Sequence, residues 1–262
     1  EIALLNDVIL KTPSVALQQS KKVIITMIDA VRQNYQIALE LMEHYDDKKA
    51  AVLEQNERFL DRSETILGDY LIKITGKNIS ESDSRLATEI MHTVGDFERI
   101  GDYCVNLKEV AEYNIDQGLE FSDICRKELL QMEKAVTHII NLTHEAYTND
   151  DVVVAQRVEP LEDTIDMLEE MLKQNHVERL KHGTCSTQAG ISFVEVVTNL
   201  EKIADHCANV AVHITQRLTK NASLDTHVHR QLLHEGPSEE FKALYRYYDE
   251  IYCNPVRDMY KD

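Results

Sequence analysis

Two stretches of this chain repeat each other: "VGDFERIGDYCVNL" (94–107) and "VTNLEKIADHCANV" (197–210). Glu98 matches Glu201, Asp102 matches Asp205, Cys104 matches Cys207 and Asn106 matches Asn209, each at an offset of 103 residues. The stretches before them repeat as well. "EQNERFLDRSETI" aligns with "EPLEDTIDMLEEM", so that Glu54, Glu57 and Asp61 match Glu159, Glu162 and Asp166 at an offset of 105. A two-residue difference in loop length reconciles the offsets. Agreement over two successive segments means that the chain holds two copies of one folding unit.

Both copies read as helices. Eight Gly, four Pro and no Trp leave few breakers in 262 residues, which predicts a handful of long helices. The first follows Thr12-Pro13, with Val23, Met27, Ala30, Val31, Ile37 and Leu41 at helical spacing. After "DDKK" a second runs to Gly76. Ser80, with Asp83 three residues on, starts a third that reaches about Ile115 and carries the first motif. Ser122 starts a fourth, to about Tyr147; a fifth follows "TNDD" and is stopped by Gly183. A sixth, from about Ser186 to Leu218, carries the second motif. "KNASLDTHVHRQLLHEGP" reads as a connector, and a short helix follows from Ser238. No stretch alternates as a strand would. The expected fold is all-α: two tandem three-helix bundles plus a short C-terminal helix. The expected divisions are an approach segment (1–13), a first repeat (14–118), a second repeat (119–220), and a connector with the last helix (221–262).

The net charge of −18 argues against a nucleic-acid surface and against adhesion to an anionic membrane. The longest uncharged run, Gly183 to Val194, is too short and too polar to cross a bilayer, so this segment is not expected to insert into lipid. Five scattered Cys without a C-x-x-C pair read as reduced thiols, with Cys104 and Cys207 as core residues. There is no Gly-rich phosphate loop, G-x-S-x-G or H-E-x-x-H, and no nucleophile–base pair can be named, so no enzymatic activity is expected. His227, His229 and His234 read as surface histidines of the connector.

The acids carry the chemistry. Residues four apart share a helix face, so Glu98 and Asp102 project together, as do Glu201 and Asp205. At about 100° per residue, Ile90, Phe97, Cys104 and Ala111 form the centre of the buried stripe, and the acids fall on its flank. Arg99 and Lys202 project elsewhere and are not expected to neutralise them. Like charges against apolar surface must raise their pKa, find cations or bind metal. Glu57/Asp61 and Glu162/Asp166 present the same pair on the preceding helices. If those helices pack as neighbours, four carboxylates converge in each half, a donor set suited to hard and borderline cations. A solvated acidic groove and a salt-bridge network remain alternatives. So does a structural or dimerisation module without metal. A di-iron carboxylate enzyme needs two Glu-x-x-His motifs. Glu89 and His92 supply one, but Ser192 and Glu195 stand at the matched positions.

At "DFERIGDYCVNL" and "NLEKIADHCANV" the chain resembles the PhoU family, over about Lys21 to Lys220. The resemblance implies two three-helix bundles side by side and multinuclear iron or zinc sites, with manganese or magnesium left open. The implied ligands are Glu57, Asp61, Glu98 and Asp102, then Glu162, Asp166, Glu201 and Asp205. Asn106, Asn209, Glu54 and Glu159 are candidates for supporting contacts. Asn199 replaces Asp96 at matched positions, so the two sites need not be equally strong.

The flanking segments resemble the ends of the PhoU-like region that follows the membrane part of bacterial sodium/phosphate cotransporter II-related proteins. With the non-Met start, this implies a cytoplasmic domain of an inner-membrane protein that regulates phosphate uptake. The implied partners are a membrane phosphate-transporter domain, its own or another chain's, and a second copy in a homodimer.

Overall fold

The computed structural model describes Leu5, residues 8–219 and residues 238–261. The predicted connector, with His227, His229 and His234, lies outside the described residues. After a single 3-10 turn at Ile9–Lys11, α1 spans Pro13–Glu43, α2 Asp47–Thr75 and α3 Glu81–Gln117. The second half comprises α4 (Asp123–Asn149), the one-turn α5 (Val152–Ala155), α6 (Val158–Lys181) and α7 (Thr187–Thr219). Helix α8 (Glu239–Tyr248), a π turn at Asp249–Cys253 and α9 (Asn254–Asp258) follow. No strand occurs among the described residues, and no described helix is long and apolar enough to cross a membrane.

Local chemistry sets the helix ends. Ser80 accepts from the Asp83 amide at 3.1 Å, Ser122 from Cys125 at 3.4 Å, Ser186 from Ala189 at 3.1 Å and Ser238 from Phe241 at 3.1 Å. The left-handed residues Gly118 (φ 62°) and Gly183 (φ 65°) terminate α3 and the turn after α6. The expected fifth helix is broken in two. Pro160 has no amide to offer the Gln156 carbonyl, so the chain stops at α5 and restarts with Pro160 in the first turn of α6, where amides lack helical partners anyway. Pro255 similarly follows the π turn, which absorbs the missing bond.

Helices α1, α2 and α3 pack as one bundle, and α4, α6 and α7 as the other. Ile90, Phe97, Cys104 and Ala111 are each at most 3% exposed, as the stripe requires. The bundles join through α3 and α7. Along this seam His92 stacks on His213 with centroids 4.5 Å apart, and Asp96 lies 2.9 Å from His206 Nδ1. Further on, Asn106 donates to Asn199 at 3.2 Å and Ser192 to Asn114 at 2.6 Å. Numbers rise on α3 as they fall on α7, so the seam is antiparallel. It leaves the acidic flank of each third helix to its own second helix.

Candidate metal centre

Helices α2 and α3 run antiparallel and close together. A Cβ added to Gly101 of α3 would lie 2.4 Å from Leu60 Cδ1 of α2, so the two helices come close at this crossing. This approach places the rungs of one acidic ladder against the other. Glu57 feels Asp61 and Asp102; Glu98 feels Asp102, Glu64 and Asp61. Glu64 sits over Gly95, where a Cβ would be 3.5 Å from its Oε1. The four predicted acids of the first half thus share one electrostatic environment. Glu57 and Glu98 are half-buried, while Asp61 and Asp102 are exposed.

The charges oppose one another. Partial burial, then Asp102, Glu64 and Asp61, push the Glu98 carboxyl up to about 7. Burial and Asp61 raise Asp102, and burial, Asp61 and Asp102 raise Glu57. Arg99 and Arg58 oppose these shifts only as nearby charges. Glu57, Arg99, Asp102, Tyr103, Val105 and Asn106 line a recess of about 330 Å³ beside the ladder. Glu54 is committed elsewhere: Lys108 holds it at 2.8 Å and lowers its carboxyl below the usual range.

The second half repeats the ladder with more cations in it. Glu201 and Asp205 are half-buried and Asp166 is exposed. Glu201 is raised by burial, and by Glu169 and Asp205. Lys202 opposes that shift from 3.1 Å, contrary to the expectation that it points away; its four-carbon stem lets the ammonium turn back along the helix. Lys173 lies 2.5 Å from Glu169, where the first half has Gly68 at the matched position. Glu162 is buried near the start of α6, and its ligand oxygen lies within 4.8 Å of those of Glu159 and Asp163. Helix N-termini favour such acids. Ala211 stands where the first half has Lys108, so the Lys108–Glu54 pair is not repeated. Asn209 is half-buried on α7.

Two residues were missing from the predicted set. Glu64 and Glu169 match at the same 105-residue offset and each faces the Glu of the third helix. The second-helix side of the ladder is therefore Glu-x-x-x-Asp-x-x-Glu in both halves. The single Glu-x-x-His takes no part: Glu89, 2% exposed, is held by Arg217 Nε at 2.5 Å, and His92 stacks on His213.

The first-half donors are all carboxylates, with Asn106 alongside. Such oxygen sets fit iron, manganese or magnesium; zinc usually takes nitrogen or sulfur donors. Carboxylates that repel one another gain most from a cation, which replaces several unfavourable pairs by favourable ones.

Comparison with known proteins identifies the two bundles. The PhoU domain matches residues 24–111 and again 129–214. The chain is 23% identical over 189 residues to the phosphate-specific transport system accessory protein PhoU homolog 1 of Thermotoga maritima, covering 72% of this chain and 81% of that protein. It is 23% identical over 203 residues to the accessory protein PhoU of Escherichia coli, covering 76% and 81%. The crystal structure of PhoU from Pseudomonas aeruginosa superposes with a TM-score of 0.74 at 19% identity, over 79% of this chain and 99% of that one. These relatives correct one expectation. They are named as accessory proteins of a transport system and are matched over most of their length, which overturns the expectation of a domain of an inner-membrane protein. Two PhoU domains, each on one three-helix bundle, cover most of the sequence, and the chain belongs to the PhoU family.

Proposed function

We propose that this chain is a non-catalytic regulator that acts with a phosphate transport system, and that a transition-metal ion on its acidic ladder is part of that role. The first reading rests on the family and on relatives named as accessory proteins of phosphate-specific transport. The second rests on one observation: five acids of the first half face one another, and partial burial with mutual repulsion lifts Glu98 to about 7. Glu57, Asp61, Glu98 and Asp102 would hold the ion, with Glu64 beside them and Asn106 in support. Glu162, Asp166, Glu201 and Asp205 would form a weaker second site, because Lys202 and Lys173 already neutralise part of it. Iron or manganese suits these donors better than zinc. The partner is a component of the transport system, and a second copy of the chain is a further candidate.

Metal analysis of untagged protein from iron- and manganese-supplied cultures tests the metal reading. Stoichiometric metal in the wild type, lost in Glu98→Gln/Asp102→Asn, is expected. Metal-free wild type would leave the ladder as a solvated acidic face. Restored or lost regulation of phosphate uptake in cells lacking the chain tests the other reading separately.

A further inference from the structure

Cys125 and Cys185 line one cavity of about 510 Å³ where the N-terminal ends of α4 and α7 meet. Cys125 lies in the first turn of α4, its amide bonded to the Ser122 cap, and is 2% exposed. Cys185 precedes Ser186, which caps α7, and is half-buried, within reach of solvent. The remaining thiols differ: Cys104, Cys207 and Cys253 are at most 1% exposed. Cys125 and Cys185 therefore combine a reachable thiol with a buried neighbour on a different element.

We propose that Cys125 and Cys185 are a dithiol that hydroperoxides close to a disulfide, stapling the first turn of α4 to the turn between α6 and α7. The reaction balances with the peroxide as sole oxidant. The Cys185 thiolate attacks one peroxide oxygen, the O–O bond breaks, and the departing hydroxide is protonated to water, leaving a sulfenic acid. The Cys125 thiolate attacks that sulfur; the S–O bond breaks and hydroxide leaves, taking up the proton Cys125 released. Two thiols lose two electrons and two protons, and one hydrogen peroxide becomes two waters.

Accessibility sets this order, because Cys185 is the thiol of the two that peroxide can reach, and its raised thiol makes the first step slow. Burial and the neighbouring Cys125 raise the Cys185 thiol, while Arg179 favours its thiolate. Arg179 in turn bonds Tyr260 at 2.6 Å and pairs with Glu128 at 2.7 Å, so the staple would form beside the contact that fastens the C-terminal segment to the second bundle.

The test treats the purified full chain with hydrogen peroxide, blocks remaining thiols and maps peptides without reduction. A Cys125–Cys185 cross-linked peptide is expected, with Cys104, Cys207 and Cys253 alkylated only after unfolding. The oxidised form should melt at least about 4 °C above the reduced form. Cys185→Ser and the small-for-small Cys125→Ala should lose both cross-link and shift. Cys185 driven to sulfinic acid with Cys125 still reduced, a cross-link through another pair, or equal melts of the two forms would overturn the proposal.

Discussion

The Lys202 ammonium lies 3.1 Å from the Glu201 carboxylate, whereas Arg99, at the matched position in the first half, forms no such close pair with Glu98. One duplicated ladder thus carries an internal counter-ion and the other does not. Lys202→Gln should make the second half a stronger cation site. The effect should be a gain of about tenfold in Mn²⁺ affinity, the order expected for removing one nearby like charge to the ion. Calorimetric titration of the Glu98→Gln/Asp102→Asn background isolates the second site. Unchanged affinity would mean that Lys202 is too well solvated to compete.

The metal-free protein should lose stability as pH rises from about 4.5 to 7. Glu98 has a folded pKa raised to about 7, above its unfolded value, so the folded state holds the extra proton in that window. Stability therefore falls with rising pH. Buried Glu89 and half-buried Glu133, also pushed up to about 7, act in the same direction. Glu98→Gln should raise the metal-free melting temperature by about 1–2 °C above pH 7, since a partly exposed like-charge pair is worth about 0.5 kcal/mol. The gain should vanish near pH 4.5. A pH series of melts in chelator checks both the sign and the window.

Gly190→Ala should destabilise more than Gly101→Ala. A Cβ at Gly190 would come 2.4 Å from the buried ring of His176, which is rigid; at Gly101 it meets the end of a Leu side chain that can turn. Overpacking costs about 1–3 kcal/mol, against a helix-propensity gain of about 1 kcal/mol. The second half already carries Ala204 at the position matched to Gly101. Urea unfolding should rank the two variants in that order.

Arg179→Met should cost about 3–5 kcal/mol, because it strands the fully buried Glu128 carboxylate. Asn175 and Tyr260, each donating to Glu128 at 2.7 Å, cannot replace the lost charge. The double variant Arg179→Met/Glu128→Met should recover most of the loss. Denaturation of the single and double variants measures it, and a double as unstable as the single would show that the pair is not the cause.

Much of this was legible in the chain because it depends on local periodicity. Ile90, Phe97, Cys104 and Ala111 recur every seven residues and are buried; Ser80, Ser122 and Ser238 cap the helices they precede. The missed features depend on packing or on long side chains. Glu64 and Glu169 become rungs only when α2 and α6 run antiparallel to their neighbours. The turning back of Lys202 is a rotamer choice that helix angle does not set. The seam pair Asp96–His206 joins one copy of the motif to the other at positions that do not match each other, so the repeat alone does not reveal it.

An anomalous difference map tests the central claim most directly. Crystals of iron- or manganese-supplied protein, measured at the absorption edge of that metal, should show a peak between α2 and α3 within coordination distance of Glu57, Asp61, Glu98 or Asp102. A weaker peak, or none, is expected between α6 and α7. A flat map at the first ladder, in crystals whose soaking solution holds the metal in excess, would contradict the account.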